Sequence, residues 1–327
     1  MVVLGICGTR ESGKSTVCEY LCTQKFKHYR LDPSNPETSK DALTKVMEDW
    51  RSNWVVEPFS SIQQLEVFSK RPLFLLISVD APLLSRFSWH EASCQDTASC
   101  ESFLEFCQKS DEQYYNGSLH DVMAKAEVRL LNSGTLKELR CLVDDFELTN
   151  PEWIRPGWDT YFMRLADLAS SRSNCMKRRV GAVLVHNNCV VSTGYNGTPR
   201  GVRNCNEGGC ARCNSNTRCG VGLDECLCLH AEENAIIEAG RDRSRGSVLY
   251  TSSLPCLGCT KKIIQASITE VIFSSAYAMG MDAKSSELLA EAGVILRQHS
   301  DIRPRQDDLN ISFSECFLSP KGNTRKM

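Results

Sequence analysis

HAEENAIIEA, residues His230–Ala239, and PCLGCTKKIIQA, residues Pro255–Ala266, decide how the second half of this chain is read. Each stretch places metal-ligating side chains where a loop turns into a helix of apolar periodicity, and Ser247–Thr251 between them reads as a short strand. A helix N-terminus offers unpaired N–H groups and the positive end of the helix dipole, which favours thiolate over thiol at Cys256 and Cys259. Two cysteines at this Cys-x-x-Cys spacing fit two corners of a tetrahedral zinc site, and the imidazole of His230 makes a third. Three protein ligands leave one corner for water, the layout of a catalytic zinc; structural sites usually close with a fourth Cys or His. Zinc lowers the pKa of such a water from 15.7 to about 7. Glu232 is the candidate catalytic residue, close enough to the metal to exchange protons with that water without binding the ion. The alternative is a zinc-knuckle scaffold in which Glu232 is merely a helix-start carboxylate.

Working outward, helices are expected at Thr160–Ser171 and Ser285–Glu291, and strands at Val180–His186, Cys189–Gly194 and Glu270–Ser274. With the two metal-bearing helices these make a three-layer α/β domain. The pattern His-x-Glu … Pro-Cys-x-x-Cys is the signature of zinc deaminases, in which water replaces an amine on a nucleobase. Further landmarks are Arg155-Pro156-Gly157-Trp158-Asp159, Tyr161-Phe162-Met163, Ser173-Asn174-Cys175, Val180-Gly181-Ala182-Val183, Gly194-Tyr195-Asn196-Gly197-Thr198-Pro199, Tyr277 and Glu291-Ala292-Gly293. With these, residues 155–298 resemble the deoxycytidylate (dCMP) deaminase family in its long fungal form, which carries an N-terminal extension. The resemblance implies a cytidine-deaminase-like α/β/α fold and hydrolysis of dCMP to dUMP and ammonia, supplying dUMP for thymidylate synthesis. It implies that Asn196 lies against sugar and base, that main-chain N–H groups near Ala231 meet the base carbonyl, and that Tyr277 closes the phosphate end. Lys177, Arg178 and Arg179 are candidate monophosphate partners or a solvated basic turn. The family further implies a hexamer activated by dCTP and restrained by dTTP, with the Gly194–Gly201 loop in the regulatory site.

The opening apolar run is expected to be too short for a signal peptide, so the eighteen cysteines are read as metal ligands mixed with buried thiols. Cys205, Cys210, Cys213, Cys219, Cys226 and Cys228 crowd just ahead of His230, among glycines that permit tight turns. Four of them are expected to close a second, structural zinc, with Cys210, Cys213, Cys226 and Cys228 preferred and Cys205 as substitute; free thiols in a loose loop are the alternative. The scattered set Cys7, Cys18, Cys22, Cys94, Cys100, Cys107, Cys141, Cys175, Cys189 and Cys316 reads as small core hydrophobes.

At the other end, Gly8-Thr9-Arg10-Glu11-Ser12-Gly13-Lys14-Ser15 matches G-x-x-x-x-G-K-[ST] between the apolar strand Val2–Cys7 and a helix over Ser15–Lys25. Gly8, Gly13, Lys14, Ser15 and Thr16 are the candidate nucleotide-binding residues, with ATP phosphates cradled by backbone N–H groups and Mg²⁺ on Ser15. Leu73–Val79 reads as a buried parallel strand ending at Asp80, a candidate Walker-B-like acid. Helices are expected at Lys40–Asp49, Ser102–Gln108, Leu119–Asn132 and Leu136–Leu142, with Arg129 on the third as a candidate lid arginine. This half is similar to nucleoside-monophosphate kinases, and a P-loop NTPase-like parallel sheet follows. The proline- and tryptophan-rich stretch Thr149–Trp158 separates the two halves, 1–150 and 151–327.

Net charge of −2 and pI near 6.3 supply no general pull toward nucleic acid or acidic membranes, so the expected partner is a small nucleotide. No stretch reaches the roughly 20 apolar residues of a membrane helix, and a reducing, cytoplasmic or nuclear location is expected. Two competing functions are a phosphoryl-transfer enzyme with a regulatory zinc half, and a nucleic-acid cytidine or adenosine deaminase.

Overall fold

The computed structural model describes residues 1–301 apart from 34, 36, 95–99, 216, 219, 220 and 277–281. The chain divides into two compact units, 1–155 and 156–327. Trp153 is buried in the first unit's core and donates from Nε1 to the Phe146 carbonyl at 2.9 Å, so residues following 150 still belong to that unit.

In the first unit the elements run β1 (Val3–Gly8), α1 (Lys14–Thr23), β2 (Lys27–Arg30), α2 (Thr38–Glu48), β3 (Trp54–Glu57), α3 (Ile62–Ser69), β4 (Phe74–Asp80), α4 (Leu83–Ser93), α5 (Phe103–Asp111), α6 (Leu119–Ala124), β5 (Val128–Leu131) and α7 (Leu136–Asp145). The described strands form a parallel sheet in the order β2-β3-β1-β4-β5. Alternation along β1 supplies both faces: Leu4 and Ile6 pack with Val17 and Leu21 of α1, whereas Val3 and Cys7 pack with Val46 of α2 and Val122 of α6. One expected element is corrected. Leu119–Asn132 is not a single helix: α6 stops at Ala124, and Val128–Leu131 pairs with Ile77–Asp80. Four apolar-rich residues carry too little period to separate helix from strand, and pairing with β4 decides. Strands β2 and β3 and helices α3 and α4 went unanticipated; β2 is a mostly exposed edge strand, KHYR, without an apolar alternation to betray it.

The second unit runs α8 (Trp158–Ser170), β6 (Gly181–His186), β7 (Cys189–Tyr195), α9 (Ala211–Asn214), α10 (Ala231–Ser244, interrupted at Gly240), β8 (Val248–Ser253), α11 (Leu257–Gln265), β9 (Glu270–Ser275), α12 (Asp282–Glu291) and β10 (Ile295–Gln298). The sheet order is β10-β9-β8-β6-β7, with β6 antiparallel to both neighbours. Ala182 and Leu184 of β6 face Ala231, Ala235, Ile263 and Leu289 from α10, α11 and α12, whereas Val183 and Val185 face Phe162, Met163 and Ala166 of α8. One helix on one face and three on the other make the α/β/α sandwich. Among the described residues no helix is long and apolar enough to cross a membrane.

A candidate zinc centre at two helix N-termini

His230 and Cys256 are the residues immediately before α10 and α11, both with extended backbone, so each projects its side chain from a helix start. The His230 amide donates to Glu233 Oε2 at 2.8 Å, which fixes the entry angle of α10, and Lys262 of α11 pairs with Glu233. Nδ1 of His230 lies 3.3 Å from Cys256 Sγ and 3.3 Å from Cys259 Sγ. With Zn–N and Zn–S bonds of about 2.05 and 2.3 Å, the N···S edge of a tetrahedron is roughly 3.6 Å. The three donors are therefore gathered at nearly the spacing the ion requires, and their chemistry, one imidazole and two thiols, suits zinc.

A hydrogen bond from Cys259, against the cost of burial, and contact with His230 hold the Cys256 thiol down at about 3, while Cys256 and burial push Cys259 upward. One thiolate is thus favoured before any metal arrives. Glu232 is wholly enclosed, and burial raises its carboxyl above the usual range. Its Oε2 lies 3.7 Å from Cys259 Sγ, and its Oε1 accepts from Thr251 Oγ1 of β8 at 3.4 Å. The carboxyl therefore borders the metal donors without being one of them. Thr251, which sequence reading overlooked, is its neighbour on β8 and also donates to the Ser253 carbonyl at 3.1 Å.

Helix α10 is fastened to β7 by Ser192 Oγ donating to the Ala235 carbonyl at 2.7 Å and by Asn234 Nδ2 donating to the Tyr195 carbonyl at 2.7 Å. Gly194 lets the strand press against the helix start: a Cβ there would run into the Ala231 carbonyl oxygen and the Ala235 nitrogen. Gly194→Ala is accordingly expected to shift α10 and to cost about 1–3 kcal/mol of stability. The shift would also carry His230 and Glu232 out of register, so kcat should fall with zinc still bound. Thermal unfolding, steady-state kinetics and metal analysis of one preparation check this; a variant with unchanged kcat would disprove the coupling.

Asn196 is buried and its side chain is spoken for. Oδ1 accepts from Val180 N at 2.8 Å and Ser173 Oγ at 2.7 Å, and Nδ2 donates to the Arg178 carbonyl at 2.8 Å. Among the described residues one amide hydrogen is left over, so the residue ties the rim of the site together first. Ala231 opens α10, where a first-turn amide has no intrahelical acceptor. Tyr277 lies outside the described residues. Lys177 Nζ donates to the carbonyls of Ser215 and Thr217 and so pins the cysteine-rich loop, while Arg178 reaches Ser275 Oγ at 3.3 Å. Lys177, Arg178 and Arg179 are all exposed.

The preferred thiols Cys210, Cys213, Cys226 and Cys228 do converge, and so does a second, overlapping group of Cys175, Cys205, Cys213 and Cys228. Cys175 is therefore not the inert core thiol expected from its isolation in sequence. Of the rest of the scattered set, Cys7 and Cys18 are buried in the core as expected, whereas Cys141 and Cys189 are exposed and Cys94 pairs with Cys100; Cys316 lies outside the described residues. In the first unit, Gly13 takes the left-handed conformation at the start of α1, which suits glycine. Lys14 Nζ turns back onto the Thr9 carbonyl, and Thr9 Oγ1 donates to Asp80 Oδ1 at 2.7 Å. Arg129 is an exposed residue of β5 instead of a helical lid residue, its guanidinium 3.4 Å from the Ala124 carbonyl.

Residues 156–275 match the model of the cytidine and deoxycytidylate deaminase zinc-binding region. The chain is 41% identical over 318 residues to a deoxycytidylate deaminase of Schizosaccharomyces pombe, an alignment covering 91% of this chain and 98% of that protein. It is 38% identical over 317 residues to the deoxycytidylate deaminase of Saccharomyces cerevisiae, covering 91% and 97%. Both alignments are too long to be confined to the second unit. Among solved structures, the dCMP deaminase of cyanophage S-TIM5 in complex with dCMP and dUMP is 29% identical over 44% of this chain and 98% of its own, with a TM-score of 0.34.

Proposed function

The chain belongs to the deoxycytidylate deaminase family, and from that premise we infer a zinc-dependent hydrolase that converts dCMP and water to dUMP and ammonia. The observation that carries the inference is the enclosed Glu232 beside the His230, Cys256 and Cys259 donors. When bound there, zinc supplies the Lewis acidity that brings proton loss from water into the neutral range. The residues of the chain do the rest. Water adds at C4 of the cytosine ring, and Glu232 moves the released proton to ring N3. It then takes the proton of the new C4 hydroxyl and hands it to the exocyclic amine, so that C4=O forms as the C4–N bond breaks and ammonia leaves. Burial raises the Glu232 carboxyl from its ordinary value, which favours the protonated form in which it carries a proton between transfers. Thr251 Oγ1 lies 3.4 Å from Oε1 and 3.1 Å from the Ser253 carbonyl, which share its one proton, while Oε2 faces the metal donors. The first-turn amide of Ala231 is the proposed partner of the base carbonyl, and the spare amide hydrogen of Asn196 that of the nucleoside. Ammonia release measured across dCMP, CMP, deoxycytidine and cytosine tests the substrate. dCMP is expected to lead, and a preference for the free nucleoside would overturn the monophosphate.

For the first unit we propose a P-loop, nucleoside-monophosphate-kinase-like nucleotide site. Its support is the left-handed Gly13 at the start of α1, the Thr9–Asp80 hydrogen bond and the buried Ser12 Oγ, which lacks a hydrogen-bond partner among the described residues. Gly8, Gly13, Lys14, Ser15 and Thr16 would hold the phosphates of ATP, with Mg²⁺ on Ser15 near Asp80. Burial lowers the Lys14 pKa, and a phosphate bound beside it would favour the ammonium form and raise it again. Lys14→Ala is expected to abolish binding of a fluorescent ATP analogue while dCMP turnover continues. Loss of turnover with nucleotide binding intact would instead make Lys14 part of the deaminase. Hexameric assembly and control by dCTP and dTTP through the 194–201 loop belong to this proposal on family grounds alone.

A further inference from the structure

Among the described residues, six thiols of the second unit fall into two overlapping groups of four. Cys175, Cys205, Cys213 and Cys228 form one group in which the sulfurs all lie within 4.8 Å, and Cys210, Cys213, Cys226 and Cys228 form another. Sγ–Sγ distances are 3.9 Å for Cys175–Cys213, 4.0 Å for Cys210–Cys226, 3.6 Å for Cys213–Cys226 and 3.9 Å for Cys213–Cys228. With Zn–S bonds of about 2.3 Å, the edge of a ZnS₄ tetrahedron is roughly 3.8 Å. Two such tetrahedra that share one edge need six sulfurs, two of them common to both. The shared edge here is Cys213–Cys228, and both residues are buried.

We propose that this cluster is a binuclear zinc–thiolate centre, with Cys213 and Cys228 bridging the two ions, Cys175 and Cys205 terminal on one and Cys210 and Cys226 terminal on the other. A single zinc on the second group would strand Cys205, fully enclosed, next to a thiolate complex. Yet Cys205 Sγ is surrounded by donors: the Met176 amide at 3.4 Å and Asn214 Nδ2 at 3.8 Å. Cys210 Sγ, at the other end, accepts from the Leu227 amide at 3.4 Å. N–H groups aimed at sulfur are what a metal-bound thiolate accepts and what a protonated thiol uses poorly. Six thiolates and two Zn²⁺ leave a residual charge of about −2, which those donors and Lys177 at the neighbouring carbonyls help disperse.

The placement connects the cluster to the active site. Cys175 follows Ser173, the partner of Asn196, and Cys228 precedes His230 by two residues; between them Leu229 pairs with Gly197 through hydrogen bonds of 2.9 and 3.2 Å. The centre therefore ties together the three segments that form the rim, and it acts on catalysis by positioning them.

Metal analysis of the intact purified protein tests the proposal. Three zinc ions per chain are expected, one at His230 and two in the cluster, and Cys256→Ser should retain two. Cys213→Ser, which removes a bridge, should lose both cluster ions, and Cys175→Ser should lower the content below three. Two zinc ions per intact chain, or a Cys175→Ser variant with the same zinc content as the parent, would overturn the binuclear assignment. Iron or copper in the cluster would overturn the choice of zinc. If the cysteine variants fail to fold, zinc X-ray absorption on the unaltered protein decides the matter: a sulfur-dominated shell with a metal–metal vector supports the cluster, and no such vector refutes it. Because the readouts are stoichiometry and ligand shell, their failure is separable from failure of the dCMP assignment.

Discussion

Glutamine in place of Glu232 is expected to lower kcat for dCMP by about 10²–10⁴, the range typical for loss of a positioned acid–base group, with zinc content unchanged. The amide is nearly isosteric with the carboxyl and can still meet Thr251 Oγ1, which lies 3.4 Å from Oε1 in the parent. It cannot, however, take a proton from water or return one to the amine. Burial makes the substitution mild for the fold, since a neutral amide replaces a group whose charged form burial disfavours. Stability should therefore hold or rise while turnover collapses, the opposite of what a structural helix-start carboxylate would show. Ammonia release, thermal unfolding and zinc content on one preparation make the comparison, and turnover within tenfold of the parent would remove Glu232 from the mechanism.

Removal of the zinc at His230, Cys256 and Cys259 is expected to bring deamination to background, and zinc return should restore it. The donors come from the starts of two helices, and Nδ1 lies 3.3 Å from each sulfur. Without the ion, the Cys256 thiolate keeps only its contact with the His230 imidazole, and the binding energy that the metal adds to the folded state is lost, so thermal stability should fall as well. A stepwise chelator titration that follows activity and zinc content together separates this centre from the cysteine cluster. Activity should disappear with one of the three ions, whichever order the others follow. Protein stripped of zinc that still releases ammonia from dCMP would end the metal-dependent reading.

The catalytic donors were legible because their geometry is local. A residue just ahead of a helix, or one turn into it, has its direction set by the helix itself, so His230, Glu232, Cys256 and Cys259 could be placed by spacing alone. The Gly8–Ser15 loop was legible for the same reason, between an apolar strand and a helix. Asn196 was picked out by family resemblance, but only the fold shows that its amide is already engaged by Ser173, Arg178 and Val180.

What the chain's order of residues determined by itself, then, is the chemistry available: an imidazole and two thiols at helix starts, a carboxyl beside them, and in the first unit a glycine-bearing loop between an apolar strand and a helix. Tertiary structure alone decided which distant groups join. It turned Val128–Leu131 into a strand by pairing it with β4, set a threonine from β8 beside Glu232, and brought Cys175 to Cys213 across 38 positions. The physical reason is that ligand spacing along a helix is fixed by covalent geometry, whereas contacts between loops depend on the packing of every element between them.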